Sequence, residues 1–407
     1  MAELNLSPRD RMRCLIALIG ALAVVSTLSS LMWPILSEAL RNRGWDETMI
    51  GVNAAAQFGG IVVVALLVTR IIPLLGFYRT ILTGLAVAAV MLFLLPLLRD
   101  YWAWFVLRFL MGMGISLLFT AGDTWVNSIV EERVRGRWLG IYSTVGMAGW
   151  AVGPIMGSMM DPESWWPFVA GLVAIAIATI VLLPTRQIDI RLSAQADHDP
   201  GRGRLLAVLI VAPTVLLSAG MFGIVEGSVQ SFAHLYTMDL LGQQHRDVGY
   251  AVIWVASVGA IFFQFPVGWL ADKMDRGWLL VICVAVLFFM VTLLPVLIGF
   301  GADPWWTRGA LALWASLSLW GGAMGAIFTV GITLLGQRFR GVELVAANAV
   351  FSVLFGVGGL LGPFIVGAAM ENFGSRGYPA ALAITVLAYL LFAAYRQYLR
   401  TGLRRRA

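Results

Sequence analysis

Long apolar runs alternate with short polar segments along the whole chain, and the length of the runs identifies them. A helix crosses about 30 Å of hydrocarbon in about 20 residues. Twelve runs of that order can be drawn, over residues 14–37, 48–69, 79–98, 101–128, 138–160, 165–184, 205–237, 247–270, 277–300, 307–336, 344–371 and 377–399. The first follows Arg9, Arg11 and Arg13, as a secretory signal would, but it is long and eleven further spans follow, so it is read as a retained helix. Between the sixth and seventh spans lies the one clear polar stretch, Thr185 to Arg204, which holds Asp189, Asp197, Asp199 and Pro200. It divides the chain into six-span halves, 1–184 and 205–407, and reads as a connector with too little apolar residue content to fold alone.

Composition agrees with the pattern. Of the 407 residues 60% are hydrophobic and 12% charged, with a mean hydropathy of +0.86, too little polar surface for a water-soluble chain of this size. The expected class is an all-α membrane protein of twelve transmembrane helices. Cys14 and Cys283 lie far apart in or beside apolar runs, and His198, His234 and His245 lack metal-ligand spacing, so neither a disulfide framework, a metal site nor a cofactor is expected.

The net charge of +6 is explained by where the basic residues fall. With a cytoplasmic N-terminus, the inside segments hold 21 Lys and Arg, the outside segments hold 6 (Arg41, Arg43, Arg99, Arg246, Arg308 and Arg376), and Arg108 alone lies within a span. That bias places both termini in the cytoplasm of a multi-pass protein of the cell (inner) membrane. The Arg404–Arg406 cluster then suits anionic lipid headgroups rather than nucleic acid.

One device occurs twice. Gly149-Trp-Ala-Val-Gly153-Pro154-Ile-Met-Gly157 returns as Gly358-Gly-Leu-Leu-Gly362-Pro363-Phe-Ile-Val-Gly367, with the Gly-Pro pairs 209 residues apart. Glycines four apart let a neighbouring backbone approach, and a proline within the helix removes an N–H and loosens it there. A lone GxxxG is weak evidence, but repetition at half the chain length predicts two structural repeats, as secondary transporters have.

The turn after the eighth span reads Gly268-Trp-Leu-Ala-Asp272-Lys273-Met-Asp275-Arg276. It resembles the Gly-x-x-x-Asp-Lys/Arg-x-Gly-Arg loop signature of the major facilitator superfamily, departing from it at Asp275, where a glycine is usual. The first-half counterpart, Thr69 to Arg79, lies 199 residues earlier and has Pro73 in place of the aspartate. Arg108-Phe-Leu-Met-Gly112-Met-Gly114 is similar to the family's Arg-x-x-x-Gly-x-Gly, and Gln264-Phe-Pro266, Leu270-Ala-Asp272-Lys273 and Leu344-Val-Ala-Ala-Asn348 are similar to the YcaD-like branch of bacterial permeases.

The resemblance implies two pseudo-symmetric six-helix bundles around a central cavity lined by spans one, four, seven and ten. It also implies that Gly268, Asp272, Lys273 and Arg276, with Gly153, Pro154, Gly362 and Pro363, act in gating. The residues themselves show polar stripes at helical spacing: Arg108, Gly112, Ser116, Thr120 and Asp123 on span four, Ser26, Ser30, Trp33 and Ser37 on span one, and Glu226, Gln230 and His234 on span seven. For the small residues a structural role stands beside the functional one, because Ser and Thr bond back to their own helix. Arg108, Asp123 and Glu226 weigh more, since a charge at mid-span costs about 2.5–3.5 kcal/mol even on the gentlest insertion scale.

The function expected is secondary active transport of a small organic solute by alternating access, proton-coupled and by a monomer. The Gly-Pro motif resembles that of proton-coupled exporters and tilts the direction toward efflux; metabolite uptake is the alternative, and a channel or receptor the rival from another class. No nucleotide-binding loop, HExxH or nucleophile elbow is present, which disfavours ATP-driven transport and the common membrane hydrolases. Glu226 is expected to carry the coupling proton, with Arg108 at a similar depth setting its charge state and Asp123 next in rank.

Overall fold

In the computed structural model, which describes residues 7–131, 134–188, 212–304, 306–339 and 342–404, twelve long α-helices are present. They are α1 (Pro8–Asn42), α2 (Glu47–Leu75), α3 (Phe77–Leu94), α4 (Tyr101–Ile129), α5 (Arg135–Ser158), α6 (Trp166–Leu182), α7 (Pro213–Leu241), α8 (Arg246–Lys273), α9 (Arg276–Ile298), α10 (Arg308–Arg338), α11 (Val342–Phe373) and α12 (Gly377–Arg404). Each expected span corresponds to one helix. Polar residues cap helix N-termini: Asp100 accepts from Ala103 N (2.9 Å), Asp275 from Trp278 N (3.1 Å) and Thr307 from Ala310 N (3.2 Å). Gly76, at φ 81°, breaks α2 from α3, and Gly374, at φ 62°, breaks α11 from α12, a backbone region that costs other residues strain. Pro154 and Pro363 lie inside continuous helices. Most of the connector falls outside the described residues; its first residues, Thr185 to Ile188, lie in a 3₁₀ turn that spans Leu183–Ile188.

Two compact units make up the chain. The first comprises Met1–Ala39 and Ala56–Asp199, the second Leu40–Ala55 and Pro200–Ala407. The end of α1 and the start of α2 join the second unit because their charges are met there: Arg41 donates to Asp239 Oδ1 (2.7 Å) and Leu235 O (3.2 Å), and Thr48 N to Glu371 Oε2 (3.3 Å). Faces turned to lipid are apolar, as on α6, where exposed Val169, Val173, Ile177 and Ile180 follow helical spacing. The core of the first unit holds Trp104 and Trp125, both fully buried. Trp104 Nε1 closes the α3–α4 turn on Leu95 O (3.0 Å) and Leu98 O (2.6 Å).

Inside each unit, helix pairs meet backbone to backbone at glycines, and the pairs repeat. In the first unit a Cβ on Gly112 would strike Gln57 O, and one on Gly60 would strike Phe109 O, so α2 and α4 touch at both. In the second, Gly321 abuts Ala256 O and Gly259 abuts Ser318 O between α8 and α10. The offsets are 199 residues for the first helix of each pair and 209 for the second, the spacings of the repeated turn and the Gly-Pro motif. The Gly-Pro helices do likewise: Gly149 and Gly153 of α5 seat on α1 at Ala23–Leu31, and Gly358 and Gly362 of α11 seat on α7 at Gly220–Ile224. The second glycine of the Arg-x-x-x-Gly-x-Gly pattern has its own partner, since Gly114 lies against Gly84 O of α3. In lipid, such contacts supply the dispersion that holds helices together.

Gly321→Ala should therefore lower stability by about 1–3 kcal/mol, the range for overpacking. Gly336→Ala on the same helix, where a Cβ meets nothing within 4 Å, should be neutral or stabilising by about 0.5–1 kcal/mol. Thermal unfolding of the two purified variants checks this; equal shifts would contradict it.

Candidate functional site

The shared seams set the two halves in register and show where they differ. By the α2/α4 seam, Arg108 and Gln57 correspond to Leu317 and Ala256. Arg108 is fully buried, with its Nε and one terminal nitrogen each 3.4 Å from Gln57 Oε1 and its guanidinium 5.4 Å from the Trp33 ring centre. Trp33 in turn packs on Phe58, their ring centres 4.7 Å apart. On this seam one half thus places a cation and an amide where the other half has leucine and alanine.

The second polar group lies in the second unit. Contacts of Gly149, Gly153, Gly358 and Gly362 place α1 and α7 in register at an offset of 197 residues, so that Ser29, Trp33 and Ser37 correspond to Glu226, Gln230 and His234. Gln230 Nε2 donates to Glu226 Oε1 (3.0 Å), one turn along the helix. The Gln230 Oε1 and Tyr378 hydroxyl atoms are buried and take no hydrogen bond among the described residues. Tyr378 stacks on Tyr236 at 4.7 Å and lies within electrostatic reach of Glu226. His234, fully buried, packs its ring 5.3 Å from that of Tyr250, over which Arg246 sits at 4.6 Å. Glu226, Gln230, Tyr236 and Tyr378 therefore form a polar group within the second unit.

Several sequence expectations change on this geometry. The face Arg108, Gly112, Ser116 is not a free stripe: Gly112 lies on the α2 backbone, and Ser116 Oγ donates to Ile61 O at 3.4 Å, so this face packs against α2. Ser30 sits in the α1–α5 seam, its hydroxyl 3.2 Å from both Thr27 O and Gly149 O, a packing position. Asp123 lies about 22 Å along α4 from Arg108 at 1.5 Å per residue; it is exposed and accepts from Tyr142 Oη (2.8 Å), tethering α5. The geometry does not bring Asp123 and Arg108 together.

At the α8–α9 turn, Asp272 is largely exposed and pairs loosely with Arg276 at 3.5 Å, while Lys273 lies 3.6 Å from the Trp269 ring centre. Gly268 borders open space. The tighter fastening is made by Asp275, the departure from the signature: it caps α9 and accepts from Gln397 Nε2 of α12 at 2.6 Å. Gln57, Tyr378 and Asp275 are the residues that sequence reasoning missed. Only Gln57, an amide one turn from Asn53 in an otherwise apolar span, carried a signal.

A two-repeat bundle of long apolar helices with charged side chains buried on them has the build of a polytopic membrane protein. The family model for the Major Facilitator Superfamily matches residues 18–259 and 215–404, and the chain belongs to that superfamily, whose members are transporters and not enzymes. It is 29% identical to the MFS-type transporter YcaD of Escherichia coli over 380 residues, 93% of this chain and 92% of that protein. It is 24% identical to the MFS-type transporter YfkF of Bacillus subtilis over 360 residues, 88% of each. Among solved structures, a bacterial homologue of the human lysosomal transporter Spinster, inward-facing and unoccupied, matches with a TM-score of 0.76 at 14% identity over 98% of both chains. The nucleoside transporter NupG matches with 0.70 at 14% over 95% of this chain and 98% of that one. At these identities the two structures show the fold alone.

The repeat comparison yields a direct test. Replacing Arg108 and Gln57 together by their counterparts, as Arg108→Leu/Gln57→Ala, should cost less than about 1.5 kcal/mol of stability, as hydrophobic swaps on a fitting seam do. Arg108→Ala alone should cost more, about 2–5 kcal/mol, from the lost packing. Thermal unfolding of both checks this, and a double variant as unstable as the single one would show that the polar pair holds the fold.

Proposed function

We propose that the protein is a secondary active transporter that moves a small organic solute out of the cell by alternating access, with a proton carried on Glu226 as the coupling ion. The observation that carries this reading is the Arg108–Gln57 pair, placed on a seam whose repeat is Leu317–Ala256. Packing does not require a buried cation there, so its desolvation cost is retained for something else. Glu226 is its opposite in sign, on a helix whose repeat carries Ser29 at that position.

An ionised carboxylate in the bilayer interior is costly, and a proton removes that cost. Protonation of Glu226 therefore favours the states in which it is least hydrated, and release favours those in which water reaches it. Arg108 supplies a fixed positive charge that an anionic group of a solute can meet. Within the second unit, the buried Gln230 Oε1 and Tyr378 hydroxyl supply hydrogen-bonding capacity beside Glu226. Residues 1–184 and 205–407 act as the two moving bundles of a monomer, joined by the 185–204 connector on the cytoplasmic side of the inner membrane. Gly153–Pro154 and Gly362–Pro363 are the yielding points in their helices, and Gly268, Asp272, Lys273 and Arg276 favour apposition of the cytoplasmic ends.

A ligand is first identified by thermal-shift screening against sugars, amino acids, carboxylates and hydrophobic cations, because binding to the folded state raises its apparent stability. In proteoliposomes, Glu226→Gln should then abolish accumulation of that ligand driven by a pH gradient while sparing its exchange at equal pH. Gradient-driven transport at the wild-type rate would remove Glu226 as the coupling site.

A further inference from the structure

A cavity of about 300 Å³ opens between α7, α9, α10 and α12 at the end of the second unit where α12 finishes. Its walls carry Arg338 from the last turn of α10 and Arg396 and Arg400, one turn apart on α12. Three arginines from two helices thus line a single cavity. Three cations gathered in one cavity repel one another, and an anion between them removes that repulsion.

Size and setting narrow the anion. The volume is at the lower end of the about 300–1,000 Å³ typical of ligand pockets, enough for a phosphodiester and its glycerol. Arginine forks match phosphate oxygens in pairs. The remaining wall is apolar, with Leu280, Leu334 and Leu399 among its residues. On the surface around it, Tyr395, Tyr398 and Trp278 are exposed, and Lys273 rests on the Trp269 ring. Aromatic rings of this kind, with basic side chains, mark the depth of lipid headgroups.

We propose that this cavity binds a phosphate group, and that its source is the headgroup of an anionic phospholipid whose acyl chains leave along the outer face of α12. The site is independent of what the transporter carries. Bound lipid would bridge α10 to α12 beside the Asp275–Gln397 tie, so it would also fasten that end of the bundle.

Native mass spectrometry of the purified full chain tests this, with phosphatidylglycerol, phosphatidylethanolamine or inorganic phosphate added in separate arms. Wild type should retain one phosphatidylglycerol in preference to phosphatidylethanolamine. The triple variant Arg338→Gln/Arg396→Gln/Arg400→Gln should hold it about tenfold more weakly, equivalent to about 1.4 kcal/mol. Arg79→Gln, a single-charge control in the first unit, should hold it as wild type does. If the triple variant fails to fold, Arg396→Gln and Arg400→Gln singly should each weaken retention by a smaller, measurable factor. Displacement of the lipid by millimolar inorganic phosphate in wild type but not in the variants would support the phosphate site and make the soluble anion its source. Retention unchanged in every arginine variant, or no preference for the anionic lipid, would overturn the proposal.

Discussion

Helices in a bilayer cannot be driven together by the hydrophobic effect, because lipid is as apolar as the side chains it would release. What remains is close contact, and in this protein the closest is backbone against backbone at glycine. Gly112 on Gln57 O, Gly321 on Ala256 O and Gly358 on Gly220 O leave no room for a methyl group. Each fixes both distance and register, since sliding by one residue would present a side chain to a carbonyl. The glycine seams are thus the constraint on which the placement of every polar side chain depends.

Because the same seams recur in both halves, each half serves as a reference for the other. Where packing alone decides, the counterparts agree: Gly60 with Gly259, Gly112 with Gly321, Gly153 with Gly362. Where they disagree in charge, packing alone does not account for the difference. Arg108 and Gln57 stand against Leu317 and Ala256, and Glu226 and Gln230 against Ser29 and Trp33, so the cation belongs to one repeat and the carboxylate to the other. This division of charge over a duplicated scaffold is the basis of the coupling proposed for Glu226.

Much of the fold was legible in the sequence because the bilayer imposes a length on every helix and a penalty on every charge. The twelve spans, the duplication at 209 residues and the family signature follow from those two demands. Side-chain partnerships were less legible. The stripe on α4 looked like a cavity lining, yet Gly112 and Ser116 face α2, which periodicity on one helix cannot reveal. Arg41, counted only as an outside charge, meets Asp239 nearly 200 residues away. Asp275 read as a defect in a loop signature and proves to cap α9 and hold Gln397. In each case the deciding partner lies on another helix, and no local pattern names it.

The central claim, that both halves are built on one seam in one register, can be measured by engineered disulfides. A Cβ at Gly325 would lie 3.4 Å from that of Ala260, near the 3.5–4.5 Å usual for a disulfide. The repeat counterparts of these positions are Ser116 and Ile61, which meet through the Ser116 hydroxyl. In membranes, Ala260→Cys/Gly325→Cys and Ile61→Cys/Ser116→Cys should each oxidise, with two thiols lost to alkylation as read by intact mass. Pairs shifted by one residue on either helix should remain alkylatable. Cross-linking in one half only, or equally in the shifted pairs, would contradict the common register.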